Sequence, residues 1–270
     1  MNHPLRARIL TALLLAALVV VVLVWLPPAV AVVLISVAIF GAGYEWAGFV
    51  RLNSVPARLT YAAAILLLLT GAELLADDPR WLNHELRLAA AWWVIAFLWL
   101  TLRAQAGGRR AAAVAGFLVL VPAGIGLSHL VTLQPNGQWL LLYLLVLIAA
   151  ADVGAYFGGR LFGRHKLAPL VSPGKTWEGF VAGMLAAAGV AVAGAGIFDM
   201  PFWPWLLLCL LVAVMSVIGD LTESMFKRHV GLKDSGRLLP GHGGLLDRID
   251  SLTAAAPTFL LGLLVLGLVP

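Results

Sequence analysis

Asp220 with Glu223, and Asp247 with Asp250, stand three residues apart, a spacing that sets each pair of carboxylates on one face of a helix. Like charges held so close repel unless a cation or a proton relieves them. Hard oxygen ligands of this kind suit Mg²⁺, which keeps several waters and shares its shell with substrate phosphates. Lys227, Arg228, Lys233 and Arg248 surround the acids and would oppose phosphate charge, and Ser224 adds a hydroxyl. The glycines beside His242, Gly243 and Gly244 among them, let backbone approach a ligand closely. The chemistry these residue types suit is the handling of a polyanion with a divalent cation. The competing reading is a solvated loop whose bases only report membrane topology. Zinc is not expected, because no second His or Cys stands at a ligand spacing from His242.

Two features upstream extend this set. Asp152 lies within the apolar stretch Ala149 to Tyr156, and an acid placed in lipid is costly enough to be a functional candidate. The alternative is a carboxylate paired with a nearby base for helix packing. The run Ser172-Pro173-Gly174-Lys175-Thr176-Trp177-Glu178-Gly179 puts Ser172, Lys175 and Thr176 where a helix is expected to begin, an environment suited to phosphate. It is not a P-loop, since the glycine spacing is absent and no strand is expected before it. Taken alone, it reads equally well as a helix cap beside an interfacial lysine.

The segments that must position these residues are apolar on every face. Of the 270 residues 62% are hydrophobic and 11% charged, against about 45–50% and about 25% in a soluble domain, which excludes a soluble enzyme. Runs such as Leu13 to Leu26 lack the strict alternation of a membrane barrel. Nine apolar runs are expected to span the bilayer: 9 to 26, 29 to 49, 59 to 76, 88 to 102, 111 to 133, 139 to 157, 178 to 198, 202 to 219 and 252 to 269. The fold class is therefore an all-α polytopic membrane protein with about nine transmembrane helices and a cytoplasmic amino terminus. Pro27-Pro28 and Gln134-Pro135-Asn136-Gly137 supply the turns of two short hairpins. The first run, preceded by Arg6 and Arg8, is read as a span, because it continues to Leu26 without a small-residue cleavage site.

With that orientation, sixteen of the 18 Lys and Arg residues fall on the cytoplasmic side and only Arg80 and Arg87 on the other, as the positive-inside rule requires. The net charge of +5 thus reports topology and does not call for nucleic acid. Two cytoplasmic segments, 158 to 177 and 220 to 251, carry most of the polar chemistry. The chain reads as one integral membrane unit, with amino-terminal helices over 1–150 and carboxy-terminal helices carrying the motifs over 151–270. Gly179, Gly183 and Ala187 place a small residue at every fourth position, which suits close helix packing. The lone cysteine, Cys209, can form no intrachain disulfide.

The run from Ser224 through Lys227-Arg228, Lys233-Asp234, Pro240-Gly241-His242-Gly243-Gly244, Asp247-Arg248 and Asp250-Ser251 resembles the signature of the phosphatidate cytidylyltransferase, or CDP-diacylglycerol synthase, family. Ser172-Pro173, Lys175-Thr176, Glu178-Gly179 and Gly219-Asp220 are similar to other positions characteristic of that family. The motif similarity covers about Asp152 to Pro257, while the first 150 residues match only as generic membrane spans. Arg237 stands where the family varies and is assigned no role.

The resemblance implies that CTP and phosphatidate give CDP-diacylglycerol and pyrophosphate, in a Mg²⁺-dependent reaction that could use a second cation. It implies a site facing the cytoplasm, in a bacterial inner membrane. Metal binding is expected of Asp220 and Asp247, with Asp152, Glu223 and Asp250 as further acids in reach. Asp220, Asp247, Lys227, Arg228, Lys233 and Arg248 are the catalytic residues expected, the four cations at phosphate; Ser172, Lys175, Thr176, Ser224, His242, Gly243 and Gly244 are expected to bind substrate. The partners expected are CTP, phosphatidate and membrane lipids, with no nucleic acid, and a homo-oligomer is compatible with the sequence. Two readings compete: a CTP-dependent lipid kinase, and a cation transporter in which Asp152, Asp220 and Asp247 line an ion path.

Overall fold

The computed structural model describes residues 17–76, 78–236, 238 and 243–269. The chain runs α1 (17–25), α2 (Pro28–Trp46), α3 (Val55–Leu75), α4 (Pro79–Arg103), α5 (Arg109–Thr132), α6 (Gly137–Phe162), β1 (Lys166–Ala168), β2 (Ser172–Thr176), α7 (Trp177–Ile197), α8 (Phe202–His229) and α9 (Leu246–Val265). Helices α2 to α9 are the eight among the described residues that are long and apolar enough to cross a membrane. Of the first expected span, 9 to 26, only residues from 17 onward are described, and they are helical through residue 25.

Local chemistry sets the helix starts. Pro28 begins α2, where its missing N–H costs nothing and its fixed φ suits the first turn. Asp78 caps α4 by accepting a hydrogen bond from the Arg80 amide at 2.9 Å, and Thr176 caps α7 by accepting one from Gly179 at 3.1 Å. Leu67, Leu74, Leu102 and Ile197 are about three-quarters exposed, as outward-facing residues of a bundle solvated by lipid would be.

Two apolar cores hold the bundle. One gathers Trp46, Phe49, Trp93 and Phe226 from α2, α4 and α8 with the segment after α2, and the other gathers Tyr143, Trp205 and Phe259 from α6, α8 and α9. Trp46 Nε1 donates to Ala112 O at 2.8 Å and the Tyr61 hydroxyl to Ala113 O at 2.7 Å, so α2 and α3 are both tied to α5. In turn α5 packs on α9, and α4 on α8 and α9.

The α6–α7 pair is the closest-packed. A Cβ on Gly154 would lie 2.7 Å from Ala186 Cβ, one on Gly183 2.7 Å from Ala151 O, and one on Gly179 2.7 Å from Ala155 O. These glycines let the two backbones meet, the packing role expected of the small-residue stripe. That contact also brings Asp152 beside the start of α7.

Two expectations need correction. A strand does precede α7: β1 and β2 form an antiparallel hairpin that pairs Lys166 with Thr176 and Ala168 with Ser172. It forms because Glu178 gathers the chain leaving α6. Its carboxylate accepts from the Arg164 amide at 3.0 Å and from His165, whose Nδ1 lies 2.6 Å from Oε1. The second correction concerns 220 to 251, expected as one long segment outside the spans. Helix α8 continues to His229 and α9 starts at Leu246. Glu223 and Lys227 pair at i,i+4 and their helix turn stays buried, so the charged residues extend α8.

Candidate active site

The charged end of α8 presents Asp220, Glu223, Ser224 and Lys227 along one helical face. Lys175 reaches it from β2, with Nζ 2.6 Å from Asp220 Oδ2, while the Ser224 hydroxyl donates to Asp220 Oδ1 at 3.2 Å. Asp220 is thus held by a cation on one oxygen and a hydroxyl on the other. Both members of the ion pair are 27% exposed, so solvent and ligands can reach them.

Asp247, in the first turn of α9, is the other organising acid. Lys227 Nζ donates to its Oδ1 at 2.8 Å, the Ser235 amide donates to both oxygens at 3.2 and 3.0 Å, and the Gly244 amide donates to Oδ2 at 2.9 Å. Gly243 makes the last bond available: its φ of +81 lies in the left-handed region, and a Cβ there would sit 3.3 Å from Asp247 Oδ2. Asp250 lies one helical turn further on, within electrostatic reach of Asp220, Glu223 and Lys227.

Glu223 is buried, with Lys227 Nζ 3.4 Å from its Oε1. Neither of its oxygens accepts a hydrogen bond among the described residues. Glu223 and Asp250 face each other closely enough to share a proton, and a buried acid pair of this kind is relieved by a proton or by a cation. Among the described residues no three His, Cys, Asp or Glu side chains form a ready-made ion cage. Mg²⁺ is ordinarily held by one or two carboxylates, with water and phosphate filling the rest of its shell.

Asp152 lines a cavity of about 490 Å³ whose wall combines polar residues, Ser172, Lys175, Thr176 and Arg160, with apolar ones, Phe180, Met184, Ala213 and Val217. Asp152 lies within electrostatic reach of Lys175 and Asp220, which links the cavity to the α8 acids. Thr176 is buried and its hydroxyl is engaged as the α7 cap.

The remaining expected residues are placed as follows. Arg228 turns away from the acids and donates to Val171 O and Leu232 O, each at 3.2 Å, bracing the hairpin against the loop after α8. Lys233 is exposed in that loop and Arg248 is exposed on the first turn of α9. His242 and Arg237 lie outside the described residues. Arg80 and Arg87 border a recess with Leu264 and Val265, at the carboxy-terminal end of α9 and so at the opposite end of the bundle from Asp247.

Two residues escaped the sequence reading. Arg160 was counted only as a topological charge, yet it lines the cavity and donates to the Tyr156 hydroxyl at 2.8 Å. Its spacing of eight from Asp152 on one helix was the available signal. Glu45, inside the second apolar run, is buried and bonded to the loop between α8 and α9. The cost of an acid in lipid, applied to Asp152, should have singled it out as well.

The fold and site together define a polytopic helical membrane protein whose acids and bases gather where the ends of α6, α8 and α9 meet the hairpin and the start of α7. The chain belongs to the Cytidylyltransferase family, whose profile matches residues 6–266. It is 40% identical over 263 residues to a phosphatidate cytidylyltransferase of Pseudomonas aeruginosa, covering 94% of this chain and 95% of that protein. A phosphatidate cytidylyltransferase of Haemophilus influenzae is 38% identical over 280 residues, covering 94% and 97%. One from Staphylococcus haemolyticus is 36% identical over 213 residues, covering 77% and 79%. The similarity therefore reaches well into the amino-terminal half, which motif reading had treated as generic spans. In that half, Glu45 bonds the Leu246 amide and α5 packs on α9, so it contacts the helices that carry the motifs.

Proposed function

We propose that this chain transfers the cytidylyl group of CTP to phosphatidate, releasing pyrophosphate and forming CDP-diacylglycerol. The observation that carries the reading is a cavity of mixed lining, with Asp152, Ser172, Lys175 and Arg160 beside Phe180, Met184 and Val217. A lipid phosphate needs both kinds of lining at once, and the full-length relatives are named for this reaction.

A phosphate monoester oxygen of phosphatidate attacks the α-phosphorus of CTP, and the bond from that phosphorus to the β-phosphate oxygen breaks. The nucleophile is already ionised near neutral pH, so the main difficulty is bringing two polyanions into line. Lys175 and Arg160 receive the lipid phosphate at the cavity. Lys227, Lys233 and Arg248 offset the triphosphate charge, while the Ser224 hydroxyl and the Gly244 amide hold the Asp220 and Asp247 carboxylates that face it. Arg228 acts from behind by fixing the hairpin. Mg²⁺, when bound at Asp220 and Asp247 with Asp152, Glu223 and Asp250 in reach, supplies charge neutralisation and a leaving-group counter-charge. A second cation is compatible with this number of acids.

The positive-inside count supports a site at the cytoplasmic face, and the bacterial relatives favour the inner membrane. The deciding experiment supplies purified, reconstituted protein with labelled CTP, phosphatidate and Mg²⁺. CDP-diacylglycerol with stoichiometric pyrophosphate supports the reading. CDP with a newly phosphorylated lipid would make the chain a lipid kinase, and cation flux without either product would make it a transporter.

A further inference from the structure

Glu45 is 2% exposed, near the end of α2, far in sequence from every residue of the site. Its Oε2 accepts a hydrogen bond from the Ser235 hydroxyl at 3.0 Å and from the Leu246 amide at 2.9 Å. Its Oε1 accepts from the Leu238 amide at 3.3 Å. The loop from α8 to α9 is therefore held at three points by one carboxylate. Gly236 and Gly244 pack against that carboxylate so closely that a Cβ on either would collide with it.

Two of those points matter for the acid that the reaction uses. Leu245 stands at the amino-terminal cap of α9 and supplies no side-chain cap, so the first amides of that helix need an acceptor from elsewhere. Glu45 provides one at Leu246, the residue directly before Asp247, with its charge at the favourable end of the helix dipole. Ser235 is gripped from both sides, its hydroxyl donating to Glu45 and its amide to both Asp247 oxygens.

We propose that Glu45 is a positioning residue for the reaction, acting through Ser235 and the Leu246 amide to fix the Asp247 carboxylate in its working geometry. It touches neither substrate nor the reacting atoms. The inference rests on the cytidylyltransferase reading, and its test has one arm that does not.

The variants are Glu45→Gln, Ser235→Ala and the double mutant, in full-length reconstituted protein. Gln keeps the shape but replaces one acceptor oxygen with an amide that opposes its donors. We expect kcat for CDP-diacylglycerol to fall about a hundredfold in Glu45→Gln, as displacement of a reacting group by about 1 Å can do. KM for CTP and phosphatidate should stay within about threefold, since neither substrate loses a contact. The double mutant should fall no further than Glu45→Gln, because both changes cut one chain of bonds. In the independent arm, hydrogen exchange without substrate should accelerate at Ser235, Gly244 and Leu246 while the α6 and α7 amides stay protected. A kcat within about twofold of wild type, additive losses, or exchange rising evenly along all helices would overturn the proposal. Inactive wild-type protein with the localised exchange effect would overturn the reaction and leave the positioning of Asp247 by Glu45 standing.

Discussion

Lys175 Nζ lies 2.6 Å from Asp220 Oδ2, an ion pair that joins the strand entering α7 to the charged face of α8. It places a cation between the cavity and the acids, where a lipid phosphate and a metal-bound triphosphate would meet. Replacing Lys175 by Gln should lower kcat/KM for phosphatidate by roughly 10- to 150-fold, the equivalent of about 1.5–3 kcal/mol for one charge-assisted hydrogen bond. Initial rates over a phosphatidate titration in mixed micelles measure this. A change confined to the CTP dependence would reassign Lys175 to the nucleotide.

If Asp220 and Asp247 share a Mg²⁺ ion as proposed, Asp220→Asn and Asp247→Asn should each nearly abolish turnover, since loss of a charged ligand can reach several kcal/mol in the transition state. Their structural consequences should differ. Asp247 accepts from two loop amides and Lys227, and an Asn NH₂ would face donors there. Asp220 bonds only Ser224 and Lys175 among the described groups. Exchange of the Ser235 and Gly244 amides should therefore accelerate in Asp247→Asn and stay unchanged in Asp220→Asn. Rates near normal at saturating Mg²⁺ in either variant would remove that residue from the metal role.

Close helix approach has a testable cost. Gly183→Val would push a Cβ into Ala151 O and should destabilise the protein by about 1–3 kcal/mol, as overpacking does. Gly189, on the same helix, has open space at its Cβ, so Gly189→Val is the matched control. Thermal unfolding in detergent should separate the two, and equal midpoints would show that α6 and α7 can part freely.

The spans were legible because apolar length is a local property, and each expected run from the second onward overlaps a helix of α2 to α9. The hairpin was not. Strands of three and five residues, broken by Pro169, Pro173 and Gly174, carry no periodicity to read, and what folds them is Glu178 reaching back to residues 164 and 165. The identity of the acids was legible from their i,i+3 spacing, but what they bond was not. Asp247 is organised by amides from a loop, and Glu45 by a hydroxyl and amides at least 190 positions away. Backbone amides leave no side-chain signature, so only folding reveals them.

Sidedness can be read directly. Arg80 borders the recess at the carboxy-terminal end of α9, whereas Lys175 and Asp247 sit at the other end of the bundle. In a Cys209-free background, a cysteine at Arg80 should label from outside sealed right-side-out vesicles, and one at Lys233 only after the vesicles are permeabilised. Labelling of both by one impermeant reagent in sealed vesicles would overturn the topology.

Two arginines of the signature should fail in different ways when changed to Lys. Arg228 donates from Nε and from one guanidinium NH group to two backbone carbonyls, Val171 and Leu232, 61 positions apart in the chain. A lysine keeps the charge but not the fixed fork that spans both acceptors. Arg228→Lys should therefore lower the unfolding midpoint and loosen the hairpin, with activity falling in proportion to folded protein. Arg248 stands exposed beside Asp247, where a planar guanidinium can grip two phosphate oxygens. Arg248→Lys should reduce CDP-diacylglycerol formation per folded molecule by more than any change in the midpoint accounts for. Arg110→Lys, outside the motifs, should change neither, because only its sign is used. Measuring unfolding and specific activity for all three separates bracing, phosphate binding and topology. If Arg248→Lys behaves like Arg110→Lys, Arg248 loses its place at phosphate.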